Sequence, residues 1–133
     1  MIDNSEQHTI GWYRARHGNI TGSCVGLLMK SGRNDYFSET GKSYIYQVAG
    51  ERGMNPAIVN DDELFGEYLQ QVNVTSKAMQ WGTDQEANAR ALYEKLTGRY
   101  IVEVGSCKHP TISNFASSPD AVSYTHLRAH ETC

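Results

Sequence analysis

The sequence predicts an α+β fold, in which a run of helices precedes the opening strands of a sheet. Two observations carry this. Apolar residues recur at helical spacing as far as Gly98, and the period then changes at Tyr100-Ile101-Val102-Glu103-Val104, a β-branched and aromatic run suited to a strand. With 133 residues there is room for one domain and a core of moderate size.

Taken in order, Ser5 predicts the cap of a first helix running to about His17, with Ile10, Trp12 and Tyr13 on its buried side and Gly18 as its stop. Thr21-Gly22-Ser23 is a second start signal, ahead of a short helical run over 24–29. Residues 31–38 are polar and read as a loop. A helix follows from about Glu39 to Glu51, with a blurred apolar face of Tyr44, Tyr46, Val48 and Ala49, and it breaks between Gly53 and Pro56. Asn60 is the predicted cap of a helix whose acidic start, Asp61-Asp62-Glu63, suits its positive end; Leu64, Phe65, Tyr68 and Leu69 form its apolar face. The clearest helix runs from Thr83 to Thr97, with Ala89, Leu92, Tyr93 and Leu96 as its stripe and Gly98 as its stop. His109-Pro110 and Ser113-Asn114 are turn material, and residues 115–118 can return as the partner of the 100–104 strand.

Composition excludes several classes. Hydrophobic residues make up 39% and charged residues 20%, as in a globular domain. No apolar run approaches the roughly 20 residues that span a bilayer, and no basic-then-apolar leader opens the chain, so the default expectation is no membrane and a cytoplasmic location. Cys24, Cys107 and Cys133 are odd in number and widely spaced, which argues against a disulfide framework and a cysteine zinc site. The net charge of -3 does not by itself suggest a nucleic-acid partner, yet residues 11–33 carry Arg14, Arg16, Lys30 and Arg33 with no acid among them.

The last dozen residues stand apart. His126 and His130 lie one helical turn apart with Cys133 beyond, which suggests a metal site. That reading is rejected, because 122–132 resembles the translation of a transposase-type sequencing adapter. We therefore divide the chain into 1–121, the native part, and 122–133, an adapter-derived tail set aside from fold reasoning.

Three blocks carry chemistry. In the first, Trp12, Arg16, Gly18, Ile20, Thr21, Gly22 and Ser23 place a guanidinium, exposed backbone N–H groups and two hydroxyls together, which suits a phosphate. Simple helix capping by Thr21 or Ser23 is the plainer alternative. In the second, Trp81, Gly82, Glu86, Ala89 and Arg90, Glu86 continues the apolar stripe, and a carboxylate there needs a partner such as a metal ion. The alternative is a capping box of Thr83 and Glu86 with a Glu86–Arg90 pair one turn on. In the third, Ser118-Pro119-Asp120, an aspartate near the end of a strand can hold a divalent cation, or the pair Pro119-Asp120 is ordinary turn chemistry.

Together and in this order, the blocks resemble the lambda-exonuclease, or YqaJ-type viral recombinase, family of phage nucleases. The likeness covers about residues 5–120, the first half of such an enzyme. It implies the N-terminal helical part and first β-hairpin of a restriction-endonuclease-like core of the PD-(D/E)xK type, truncated here. It also implies 5′-to-3′ digestion of double-stranded DNA for recombination, with Arg16, Thr21 and Ser23 holding a phosphate and with Glu86 and Asp120 as catalytic carboxylates ligating Mg²⁺ or Mn²⁺. A ring-shaped homo-oligomer, a single-strand annealing partner and a phage or prophage origin belong to the same implication. The family's next glycine is Ala121 here, and no Glu-x-Lys element follows Asp120. The expectation is therefore a polypeptide that does not cut DNA as written and is poorly soluble alone. The reading from another class is a small helical interaction module without catalysis.

Overall fold

The computed structural model describes residues 6–73 and 76–124. Helix α1 spans Ile10–Arg16 and is capped by Thr9, whose hydroxyl accepts from the Trp12 N–H. Ser5, the expected cap, lies outside the described residues. His17 closes α1, and Gly18 leaves it with φ +69°, a left-handed conformation that glycine adopts without a Cβ penalty.

The chain then does something periodicity did not reveal. Thr21-Gly22-Ser23 caps no helix: Ile20–Thr21 is a strand, β1, and the cap position of α2 (Val25–Leu28) is Cys24, with no side-chain cap bond. Two strand residues are too few to show alternation. Helix α3 runs Glu39–Arg52 from a Ser38 cap, close to its expected bounds. The break after it holds one turn of helix, α4 (Pro56–Val59), started by Asn55 and a proline at its first position. Helix α5 is Asp62–Val72, and its cap is Asp61 rather than Asn60, since the Asp61 carboxylate accepts from the Leu64 N–H at 3.0 Å.

Helix α6 is longer than expected, Lys77–Thr97, with Ser76 as its cap and Gly98 as its left-handed stop. Its start corrects the capping-box reading. Thr83 lies inside the helix and its hydroxyl donates back to the Met79 carbonyl, so Thr83 and Glu86 form no box. Trp81 and Gly82 are helical as well.

The core lies where α1, α3 and α5 meet. Trp12, Tyr44, Val48 and Phe65 are buried there, Phe65 completely. His17 packs edge-on to Phe65 at 5.2 Å, and the Arg14 guanidinium lies 5.5 Å from the same ring while pairing with Asp62. By contrast, no residue of α6 is buried: Leu92 and Leu96 of its apolar stripe are 56% and 75% exposed. The stripe has the expected spacing, but of its members only Tyr93 gains a polar partner among the described residues, a hydrogen bond with Ser123 of the strand over 122–124.

The strands are β2 (Tyr100–Val102), β3 (Cys107–Lys108), β4 (Phe115–Ser117) and β5 (Val122–Tyr124). Their pairing corrects the expected hairpin of 100–104 with 115–118. β4 pairs antiparallel with β3 and parallel with β1, giving the order β1-β4-β3, while β2 pairs antiparallel with β5. The turn chemistry at 109–114 was legible, but it closes on the nearer strand. The His109 Nδ1 accepts from the Ile112 N–H at 2.9 Å, and Asn114 takes φ 64°. β5 lies in the first residues of the segment set aside as a tail; residues 125–133, with His126, His130 and Cys133, fall outside the description.

Candidate active site

The phosphate group of residues assembles at the exit of α1. Arg16 ends that helix, where its guanidinium lies over the Trp12 ring at 4.4 Å, and it lines a cleft of about 650 Å³ together with Thr21, His17, Tyr44 and Glu51. Thr21 is buried on β1, and its hydroxyl lies 3.3 Å from that of Ser23. Arg16 and Thr21 therefore share one cleft, and Ser23 reaches it through Thr21.

What fixes Thr21 comes from another element. The Tyr44 hydroxyl on α3 accepts the Thr21 backbone N–H at 3.0 Å in a buried setting. Gly22 donates to the Ala116 carbonyl, and a Cβ at Gly22 would come within 2.7 Å of the Ser117 hydroxyl, so β1 and β4 approach closely here. Glu51 also lines the cleft, but its Oε2 is occupied by the Gly18 N–H at 2.9 Å and its Oε1 by Gln47. Its charge disfavours an anion nearby, whereas its hydrogen bonds fix the turn that follows Arg16.

The two expected carboxylates occupy different elements. Glu86, on α6, has a third of its side chain exposed and faces Arg90 one turn on at 3.7 Å. Arg90 binds Glu103 more closely, which ties α6 to the residue after β2. Asp120 is exposed and makes no hydrogen bond or ion pair among the described residues. β2 and β5 pair as Val102↔Val122, so continuing this register sets Asp120 opposite Val104. Glu86, through Arg90 and Glu103, and Asp120, through β5, are thus both attached to the same end of the β2–β5 pair.

The donors suit a divalent metal in kind: carboxylate oxygens are what Mg²⁺ and Mn²⁺ take. They fall short in number. Among the described residues no group of three or more His, Cys, Asp or Glu side chains forms a metal cluster. Two carboxylates, Glu86 and Asp120, would be only part of a coordination shell.

Sequence reasoning missed Tyr44, Glu51, Glu103 and Gln7. Only Glu103 had a local signal, a charge alternating with Val102 and Val104 in a strand-like run. Gln7, from the other end of the chain, donates to the carbonyls of Val104 and Pro119. No helix of the described chain is long and apolar enough to cross a membrane.

Against this geometry stand the comparisons with known proteins. The sequence profile of a family described as "YqaJ-like viral recombinase domain" matches residues 11–133. Among similar solved structures is an alkaline exonuclease, LHK-Exo, from Laribacter hongkongensis, with 30% identity and a TM-score of 0.65 over 88% of this chain and 49% of that one. A second crystal structure, of LHK-Exo in complex with dAMP, has the same identity and TM-score over 86% of this chain and 48% of that one. The chain spans about half the length of these relatives. No curated protein matches it.

Proposed function

From the premise that this chain belongs to the YqaJ-like viral recombinase domain family, we propose that it is the N-terminal part of a Mg²⁺-dependent exonuclease that digests duplex DNA from a 5′ end. The single observation that carries this is the placement of Arg16 and Thr21 in one cleft, with Ser23 bonded to Thr21. A guanidinium and hydroxyls bind a phosphate, and Glu86 and Asp120 are the carboxylates that would hold the metal. The dAMP held by the LHK-Exo crystal is consistent with a nucleotide-binding site in a relative.

When bound, the cation supplies Lewis-acid polarisation of the scissile phosphate and lowers the pKa of a coordinated water. The chain's own residues do the rest. Arg16 neutralises phosphate charge, Thr21 and Ser23 orient its oxygens, and the Tyr44 hydroxyl holds the Thr21 backbone in place. Because no Glu-x-Lys follows Asp120 in this sequence, the 133-residue chain by itself lacks a third carboxylate and a lysine to assist the attacking water. It is therefore inactive in this proposal. Residues 122–133 are read as adapter-derived, and DNA, a ring-shaped homo-oligomer and an annealing protein as partners of the whole phage-encoded cytoplasmic enzyme.

The Glu86–Arg90 pair favours the competing view of a non-catalytic helical module, in which Glu86 only supports α6. One experiment separates the two. In the uninterrupted reading frame, Asp120→Ala should abolish Mg²⁺-dependent release of nucleotides from linear duplex DNA; retained digestion would refute the nuclease site.

A further inference from the structure

Gln7 joins two segments far from it in sequence. Its Nε2 donates to the Val104 carbonyl at 3.0 Å and to the Pro119 carbonyl at 2.8 Å. An amide nitrogen carries two hydrogens, so the two bonds do not compete. Both acceptors lie just beyond the last paired residues of β2 and β5, where the ladder ends and the two arms could separate. Pro119 immediately precedes Asp120, whose carboxylate has no partner of its own among the described residues, so the backbone before it sets its position.

Gln7 is itself anchored. The Glu6 carbonyl accepts from both the N–H and the hydroxyl of Thr9, and Thr9 caps α1. The turn that presents Gln7 is thus continuous with the helix that ends in Arg16. A change in the Gln7 bonds would shift Asp120 relative to α1.

We propose that Gln7 is a positioning residue for Asp120: its amide clamps the Ser118-Pro119-Asp120 turn to the end of β2 and registers that carboxylate against α1 and Arg16. The inference rests on reading Asp120 as a metal ligand. A purely structural staple would hold the turn without affecting what Asp120 binds.

The test uses the 133-residue chain with Gln7→Ala and Gln7→Glu, the second keeping the length but losing both donors. Hydrogen exchange by mass spectrometry follows peptides over 104–122, and electron paramagnetic resonance measures Mn²⁺ affinity, with Asp120→Asn marking binding that depends on Asp120. The expected result is about tenfold faster exchange around Asp120 in both variants, with α1, α3 and α5 still protected, and about tenfold weaker Mn²⁺ binding. Unchanged exchange overturns the clamp. Faster exchange with unchanged Asp120-dependent Mn²⁺ affinity reduces Gln7 to a staple, and loss of protection throughout α1, α3 and α5 in both variants does the same. Because Glu86 and Asp120 would supply only part of a metal shell, the Mn²⁺ binding expected of this chain is weak. If the unaltered chain shows none sensitive to Asp120→Asn, the proposal that Gln7 positions a ligand in this chain falls, and exchange alone decides whether Gln7 fixes the turn.

Discussion

Tyr44 shows how much of the site rests on single polar atoms. Its hydroxyl is the acceptor for the buried Thr21 N–H, and no strand partner is positioned to replace it. Tyr44→Phe keeps the ring and strands that N–H, so it should destabilise the chain by about 1–3 kcal/mol. Tyr46→Phe, at a site 74% exposed, should do almost nothing; equal urea midpoints for the two variants would contradict this role. Tyr68 gives a pH dependence. Burial raises its pKa first, and the nearby Glu51 carboxylate raises it further. The folded state thus resists ionisation of the phenol more than the unfolded chain does. Its contribution is fully present below the usual tyrosine pKa and is lost as pH rises from about 10 upward. Denaturant midpoints between neutral and alkaline pH should fall over that window, and Tyr68→Phe should flatten the fall. At this scale the sequence displayed Arg16, Thr21 and Ser23, because they sit within eight positions of one another. Tyr44, Glu51 and Gln7 reach the same places from distant parts of the chain, and no local pattern points to such contacts.

Among the elements, α6 was the best recognised and the most misread. Its stop at Gly98 and its stripe were legible, since both are local properties. Its start was not, because Trp81 and Gly82 look like a boundary while Ser76 supplies the cap. Nor could spacing show that Leu92 and Leu96 of the stripe are exposed: a periodic pattern marks which face is apolar, not what packs on it. Burial of α1 and exposure of α6 should appear directly as protection. Backbone amides of α6 and β2 should exchange well before those of α1, α3 and α5 in the same sample. Leu96→Lys should change folding stability by less than about 0.5 kcal/mol while reducing self-association in sedimentation velocity. A large loss of stability would mean that Leu96 is packed after all. The strand pairing was misassigned for a related reason. Phe115–Ser117 pairs across the short turn that His109 caps with Cys107–Lys108, a two-residue strand with no β-branched or aromatic signal, and the conspicuous β2 pairs with β5 instead.

The whole molecule follows from where these elements find partners. One cluster, built by α1, α3 and α5 around Phe65, has a true interior. The other, α6 with the two-stranded β2–β5 pair, has no buried residue on its helix and, among the described residues, no third strand on either edge. A two-stranded sheet is marginal in water without a third strand or a well-packed helix, and unpaired edges favour association. Relatives in which this chain covers only about half the length have further polypeptide that could supply such partners. The 133-residue chain should therefore melt broadly, with the α6 region lost before the Phe65 cluster, and should associate as concentration rises. It should also leave linear duplex DNA intact with Mg²⁺, since among the described residues no group of three or more His, Cys, Asp or Glu side chains could hold a metal ion. A single sharp transition from a monomer, the same by circular dichroism and by tryptophan fluorescence, would show that α6 and the β2–β5 pair need no further partner. Because Trp81 lies on exposed α6 and Trp12 in the buried cluster, fluorescence of variants retaining one tryptophan at a time can report the two regions separately. The Trp81 signal should change at lower temperature than the Trp12 signal; coincident curves would defeat the two-cluster account.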